Sequence, residues 1–385
     1  MKLPFDLDNP TLALAAWSRI CEPGDQDAHR LIQAGGPSAA LHWLVDQVER
    51  PENVGPGVSQ AVKRWLPRLD GLDPRRELKV MASLGGRLVT PDSPEWPPGL
   101  NDLGDGAPLC LWVWASARTD LAGWWSRSVA MVGARACTHY GQTVARSMAG
   151  ELADAGYTVV SGGAFGIDAA AHSGTLAVQG KTVAVMAGGV DRLYPQANED
   201  LLRQVAEHGA VISELPPGSA PRRERFLDRN RLMAAMTRVT LVVESGWRSG
   251  AHRTANVAAE LLRPVAAVPG PVTSAASAGC HRLIRDGVAT LVANSAQVLE
   301  LVSHVGQQVE PLTPCPTGPL DGLSTPDRRV FDALPLRGTV HVGQLVAASG
   351  MATAEVLAAL SRLERAGRAS SSAGGWRRNA PPQPQ

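Results

Sequence analysis

Five arginines crowd ten positions of this 385-residue chain: Arg222, Arg223, Arg225, Arg229 and Arg231, set against Glu224 and Asp228. Five positive and two negative side chains leave a local charge of +3. Guanidinium groups recognise phosphates and carboxylates through forked N–H donors. The rest of the chain supplies no comparable field, because 37 Lys and Arg stand against 36 Asp and Glu for a net charge of +1. Any nucleic-acid contact must therefore come from a local patch. Phe226, inside the segment, and Tyr140 offer flat faces on which a base can stack. The competing reading is a solvated cluster in which the arginines pair with Glu214 and Asp228.

Four runs of small residues carry exposed amides: Gly133-Ala134-Arg135, Ser161-Gly162-Gly163-Ala164-Phe165-Gly166, Ala187-Gly188-Gly189 and Ser249-Gly250-Ala251. Such amides at a helix amino terminus attract phosphate. One loop of this kind is equally well a tight turn; four along one sheet edge favour the anion site. Two nucleotide signatures fail. Between Gly174 and Gly180 lie five residues where a P-loop needs four, and Lys181-Thr182 opens a strand where it needs a helix. After the first strand Gly133 is followed by glycine only at Gly141, so the dinucleotide fingerprint is missing.

Ser161, Asp168 and His172 do not form a hydrolase elbow, because Val159 stands where glycine is required. Asp168 and His172 share a helix face, but no third ligand completes a metal site; they read as braces for the glycine loop. Cys21, Cys110, Cys137, Cys280 and Cys315 are odd in number and lack a C-x-x-C pair, which argues against a disulfide framework and zinc. No catalytic residue, metal or cofactor is expected.

These residues need a scaffold. From Ser128 to Leu301 short apolar runs alternate with amphipathic helical spacing, the pattern of a parallel sheet covered on both faces. The expected strands are Val129–Val132, Thr158–Val160, Thr182–Met186, Ala210–Ile212, Val239–Val243 and Val265–Val268. Ligands bind such sheets at the carboxyl ends of the strands. Leu109 to Ala115 reads as a strand entering this domain.

Residues 1–79 hold apolar clusters at helical spacing, among them Leu12, Leu14, Trp17 and Ile20, and then Leu41, Leu44 and Val45. They are expected to form a small helical domain before the core domain at 80–302. Residues 303–323 lack apolar periodicity and read as a linker. Within 324–378, helical patches at Arg328–Leu334, Val342–Ala348 and Ala354–Ala366 precede a possible wing at Ser370–Trp376, a winged-helix outline. Residues 379–385 are expected to be disordered. No apolar run reaches the roughly eighteen residues of a membrane span, and Met1–Asp8 lacks a signal-peptide pattern, so a cytoplasmic protein with no membrane partner is expected.

In this order the motifs resemble the DNA-processing protein A family, also called Smf. Gly133-Ala134-Arg135 is similar to the family's Gly-Ser-Arg element. Ser161 to Asp168 with Ala171-His172 is similar to its Ser-Gly-x-Ala-x-Gly-Ile-Asp segment, and Gly189 to Asn198 to its Gly-x-Asp-x-x-Tyr-Pro-x-x-Asn segment. Ser213-Glu214, Phe226 with Arg229-Asn230-Arg231, Ser249-Gly250 with Thr254-Ala255, and Pro269-Gly270 complete the pattern across most of residues 90 to 290.

The resemblance implies an extended Rossmann-like domain, a sterile-alpha-motif-like helical domain before it and a winged-helix domain after it. It further implies a homodimer that binds single-stranded DNA and loads the RecA recombinase in natural transformation and recombination. The candidate DNA-binding residues are Gly133, Arg135, Ser161, Gly162, Gly163, Ala164, Phe226, Arg229, Asn230, Arg231, Ser249, Gly250 and Thr254. Arg222, Arg223 and Arg225 fall back to auxiliary charge. Ala134 replaces the family's hydroxyl residue, a loss of about 1 kcal/mol if that hydroxyl holds a phosphate. Leu227 stands in place of Pro, and His281 in place of Asn.

Two other readings compete. Related Rossmann-like folds include nucleotide phosphoribohydrolases, but Glu244–Gly250 lacks the glycine spacing of their Pro-Gly-Gly-x-Gly-Thr loop. A duplex-DNA regulator would use Ala354–Ala366 as recognition helix, with Arg362, Arg365 and Arg368 on phosphates.

Overall fold

The computed structural model describes residues 2–49, 56–302, 323–335, 338–372 and 375–379. Apart from Leu323 and Asn379, the expected linker and tail lie outside them. Met1–Val309 form one compact unit and Glu310–Gln385 a second.

In the first unit the strands are β1 (Arg87–Val89), β2 (Leu111–Trp114), β3 (Ser128–Val132), β4 (Thr158–Ser161), β5 (Thr182–Val185), β6 (Ala210–Ser213), β7 (Val239–Val242), β8 (Val265–Ala267) and β9 (Thr290–Leu291). They make one nine-stranded sheet in the order β1-β2-β6-β5-β4-β3-β7-β8-β9. Strands β6 through β9 pair in parallel, whereas β2 pairs antiparallel with both β1 and β6. The apolar runs of β3 to β8 follow from burial on both faces. Ala130 and Val132 point to one face, Val129 and Met131 to the other, and each set lies in its own core cluster.

The helices are α1 (Pro10–Ile20), α2 (Gln26–Glu49), α3 (Pro56–Trp65), α4 (Pro74–Ser83), α5 (His139–Asp154), α6 (Ile167–Ala177), α7 (Glu199–His208), α8 (Arg223–Met236), α9 (Ala251–Glu260), α10 (Ala278–Arg285) and α11 (Ser295–Val302). Alanines and methionines of α8 and α9 pack on the Ala130 face, and those of α5 and α6 on the Val129 face. Strands are added outward from β3 to β4, β5 and β6, and then β7 returns to β3's other side. The reversal leaves a crevice beyond the carboxyl ends of β3 and β7, where open α/β sheets bind ligands.

The first three helices have a core of their own, whereas Met81 of α4 packs against Trp112 and the sheet. Asn9 caps α1 by accepting from the amides of Thr11 and Leu12, and Pro10 suits the first helical position. Trp17 meets Trp65 edge to face at 5.4 Å, over Leu41, Leu44 and Leu69. In α2 the chain breaks at Gly36, φ 84°, just before Pro37. Trp112 of β2 is fully buried and its indole N–H donates to Ser18 Oγ at 3.2 Å, joining α1 to the sheet.

The second unit consists of α12 (Thr325–Ala333), α13 (Val342–Ser349), α14 (Thr353–Arg365) and a hairpin of β10 (Ala369–Ser372) and β11 (Gly375–Arg378). Val330, Phe331, Leu345, Val356, Leu360 and Leu363 form its core. This is the three-helix and wing arrangement of a winged helix. Arg362, which the duplex-regulator reading sets on phosphate, is bonded twice to Asp327 Oδ1, at 2.9 and 2.7 Å; that carboxylate lies in the first turn of α12, where it also accepts from the hydroxyl of the N-cap Ser324. No single helix among the described residues is long and apolar enough to cross a membrane.

Trp112 fills the space between the sheet and the amino-terminal helices, so Trp112→Ala leaves a large void. The variant is expected to lose about 3–5 kcal/mol. A lower urea midpoint with an unchanged denaturant slope reports it; an unshifted midpoint contradicts this role for Trp112.

Candidate nucleic-acid interface

A cavity of about 490 Å³ occupies the crevice between β3 and β7. Gly133, Ala134 and Arg135 enter it from the β3 loop, Ala164 and Asp168 from the start of α6, and Phe226, Leu227, Arg229 and Asn230 from α8. Gly246, Arg248, Ser249, Gly250 and Thr254 close it from the β7 side. The loops lock together through backbone bonds: Ala134 N–H donates to Glu244 O at 2.7 Å and Ile167 N–H to Ala134 O at 3.2 Å. Asn198 Nδ2 donates to Gly163 O at 3.0 Å, which ties the glycine loop to the segment before α7. A Cβ on Gly133 would lie 2.5 Å from Ile167 Cγ1, so the β3 turn requires glycine.

Arg229 governs the floor. It is 6% exposed, and its Nη1 donates to Val185 O at 2.8 Å. A Cβ on Gly162 would stand 1.7 Å from that nitrogen, so only glycine lets the guanidinium in. Burial lowers its pKa to about 10, which Asp168 opposes and Arg135 reinforces; the group stays a cation at neutral pH. Its Nε and the hydroxyl of Thr254, both buried, have no hydrogen-bond partner among the described residues. Buried donors ordinarily have partners.

Asp168 accepts from the amide of Ala164 at 3.3 Å; burial raises its pKa and Arg229 holds it down. Behind it, Thr182 donates its hydroxyl to Val159 O, so His172 Nδ1, 2.7 Å away, carries the proton of their shared bond. Burial and the charge of Arg229 push His172 down to about 3, leaving it neutral. At the mouth, Arg135 lies over the Phe226 ring at 5.1 Å, and Phe226 meets the half-exposed Tyr194 at 5.8 Å.

Several sequence-predicted residues point elsewhere. Ser161 is buried and donates to Met131 O at 2.6 Å, and Gly162 and Gly163 lie behind the lining. Arg231 turns away, bonding Glu214 through both terminal nitrogens at 2.8 Å and Gly106 O at 2.9 Å. The arginine segment is a helix, and two positions along a helix turn a side chain by about 200°. Arg229 and Arg231 therefore cannot share a ligand on one face. Arg225 binds Glu22 at 2.9 Å through two nitrogens, and Tyr140 donates to Pro269 O outside the cavity. His281, where the family has Asn, sets Nε2 3.0 Å from Gly270 O.

Two contributors were not singled out in the sequence. Arg248 lines the cavity, and Tyr194 extends the aromatic face. The signal for Arg248 was a cation directly before Ser249-Gly250, in a loop set by the strand order.

His172 gives the site an acid liability. Its folded value of about 3 lies below its ordinary 6.5. Between the two, the unfolded chain holds a proton that the native chain does not, so stability is full above pH 6.5 and falls as pH drops toward 3. The steepest loss is about 1.4 kcal/mol per pH unit. Asp168, raised by burial, titrates with the opposite sign in the wild type and in His172→Gln alike. Urea melts across this window are expected to show a shallower pH dependence for His172→Gln; parallel curves would contradict a neutral buried imidazole.

The chain is similar to known proteins in sequence and in fold. The family model for DNA recombination-mediator protein A matches residues 87–303, and that for the DprA winged helix domain matches residues 314–375. A DNA processing protein DprA of Mycobacterium tuberculosis is 43% identical over 383 residues, 96% of this chain and 95% of that one. Its counterpart from Bacillus subtilis is 28% identical over 73% of this chain and 96% of that one. The X-ray structure of DNA processing protein A from Streptococcus pneumoniae superposes with a TM-score of 0.60 at 29% identity, covering 78% of this chain and 98% of that one. With a switch-point cavity floored by arginine, and matches of this extent, the chain belongs to the DNA recombination-mediator protein A family and has a role in DNA processing and recombination.

Proposed function

We propose that the β3–β7 cavity holds the backbone of single-stranded DNA without reading its sequence, and that a homodimer of this protein hands the strand to the RecA recombinase during natural transformation. The observation that carries the DNA reading is the buried Arg229, whose Nε is unpartnered among the described residues, on the floor of a cavity rimmed by Arg135 and Arg248. Phosphate is the anion that suits it: guanidinium forks and loop amides bind phosphate oxygens, and a water-poor floor strengthens each contact. Bases need no specific partner, because the Arg135–Phe226–Tyr194 stack offers π-faces that every base can use. Gly133, Ala164, Ser249 and Gly250 allow close backbone approach, while Asn230, donating to Gly250 O at 3.3 Å, holds α8 against the β7 loop. The RecA and dimer steps rest on the family alone. No catalytic step is assigned.

Arg229→Ala is expected to weaken single-strand binding and to flatten the dependence of log K on log salt by about 0.7 for each phosphate that is no longer neutralised. Arg135→Ala, on an exposed loop, should do the same without loss of fold. Arg231→Ala, which breaks the Glu214 pair and the bonds to Gly106 O and Asp228 O but removes nothing from the cavity lining, should lower stability and leave the slope unchanged. Titration of a labelled oligonucleotide across a salt series decides, with a duplex of the same sequence for comparison. Wild-type slope and affinity in both Arg229→Ala and Arg135→Ala would remove the assignment.

A further inference from the structure

Trp247 is the exposed member of the ten tryptophans, all of them among the described residues, and 52% of its surface is open. A large aromatic ring left in water sacrifices the burial that ordinarily places tryptophan inside. Its neighbours in sequence, Gly246 and Arg248, both line the β3–β7 cavity, so Trp247 is carried by the loop that forms the cavity's β7 side. The Phe226 and Tyr194 faces belong to the α8 side.

The ring is held in place. Arg282 of α10 sets its guanidinium carbon 5.0 Å from the ring centroid and is itself anchored on Asp286 at 3.2 Å. The loop that carries Trp247 is fastened to the same helix, because Gly279 N–H donates to Ser245 O at 2.7 Å. A Cβ on Gly279 would come within 2.6 Å of the carbonyl oxygens of Ser245 and Gly246, so loop and helix are in backbone contact there. A prepositioned ring loses little freedom when it takes up a ligand. Arg282 over the ring, and Arg248 next to it in the chain, give the loop a cationic character suited to a polyanion that carries flat bases.

We propose that Trp247 is a second base-stacking platform, which receives a nucleobase of single-stranded DNA as the strand leaves the cavity on the β7 side. The proposal rests on the single-strand reading of the cavity. It gives the strand a direction across the sheet edge, from Phe226 over Arg229 to Trp247, and makes the footprint longer than the cavity itself.

The test combines intrinsic fluorescence with the anisotropy of a labelled oligothymidylate, on the full chain. Oligothymidylate is expected to quench the wild-type tryptophan emission, and Trp247→Phe is expected to abolish that quench while retaining most of the affinity through its remaining flat ring. Trp247→Ala should weaken binding about tenfold, within the range for loss of one stacked base. Its salt dependence should stay at the wild-type slope, because stacking neutralises no phosphate. If the wild type binds by anisotropy and neither quench nor affinity depends on Trp247, the platform is overturned and the cavity reading stands. A change in sedimentation mass in Trp247→Ala with undiminished affinity would overturn it in favour of a contact with a second copy of this chain. If the wild type binds no single strand at all, both readings fall.

Discussion

Arg229 is a charge almost removed from water, and the sheet edge is arranged to keep it so. An unpaired buried cation is costly, and three features answer that cost here. Val185, the last residue of β5, presents a carbonyl to Nη1, Asp168 lies close enough to resist the fall in the arginine's pKa, and Gly162 leaves the volume that any side chain would fill. The neutrality of His172 belongs to the same arrangement, since a second cation behind Arg229 would add repulsion in a region with little solvent. The compensation is partial at Nε. A site that left no donor unmet would hold the chain together equally well and bind nothing.

The arginine segment divides its work by helical phase. One side of α8 carries Phe226, Arg229 and Asn230 into the cavity, while Arg225 and Arg231 bond Glu22 and Glu214. Glu214 also accepts from Gly24 N–H at 3.3 Å, and Glu22 from Arg68, so the amino-terminal helices grip α8 from behind. The +3 of the sequence is therefore mostly neutralised within the fold. What reaches the cavity is a small set of cations, Arg135, Arg229 and Arg248, contributed by three different elements. Such a set favours recognition at close range over long-range attraction, in keeping with a net charge of +1.

The glycine loops acquire meaning from the strand order. Alone, Gly133-Ala134-Arg135 is a turn after a strand. Beside β7 it is one lip of a crevice, with Ala134 bonded to Glu244 O across the gap and to Ile167 at the head of α6. The failed P-loop and dinucleotide patterns agree with this, because neither the Gly174–Thr182 stretch nor Gly141 presents its glycine in the lining.

Much of the fold was legible in the sequence because its cause is local. Strands buried on both faces must be continuous apolar runs, and those runs mark β3 to β8; the amphipathic faces around Leu360 and Leu363 likewise mark the carboxy-terminal helices. The arginine cluster and the small-residue loops brought Gly133, Arg135, Phe226 and Arg229 to attention, and the family motifs narrowed the choice to them. The direction of a side chain was beyond the sequence's reach: Arg229 and Arg231 are two letters apart and look alike, yet helical rotation sends one to the cavity and the other to Glu214. Strand order was likewise hidden, since a parallel connection is equally apolar whichever neighbour it joins, and with it went the place of Arg248 and the antiparallel addition of β2. Composition and period determined which elements exist. Only packing, which fixes phase and adjacency together, decided which of their residues meet.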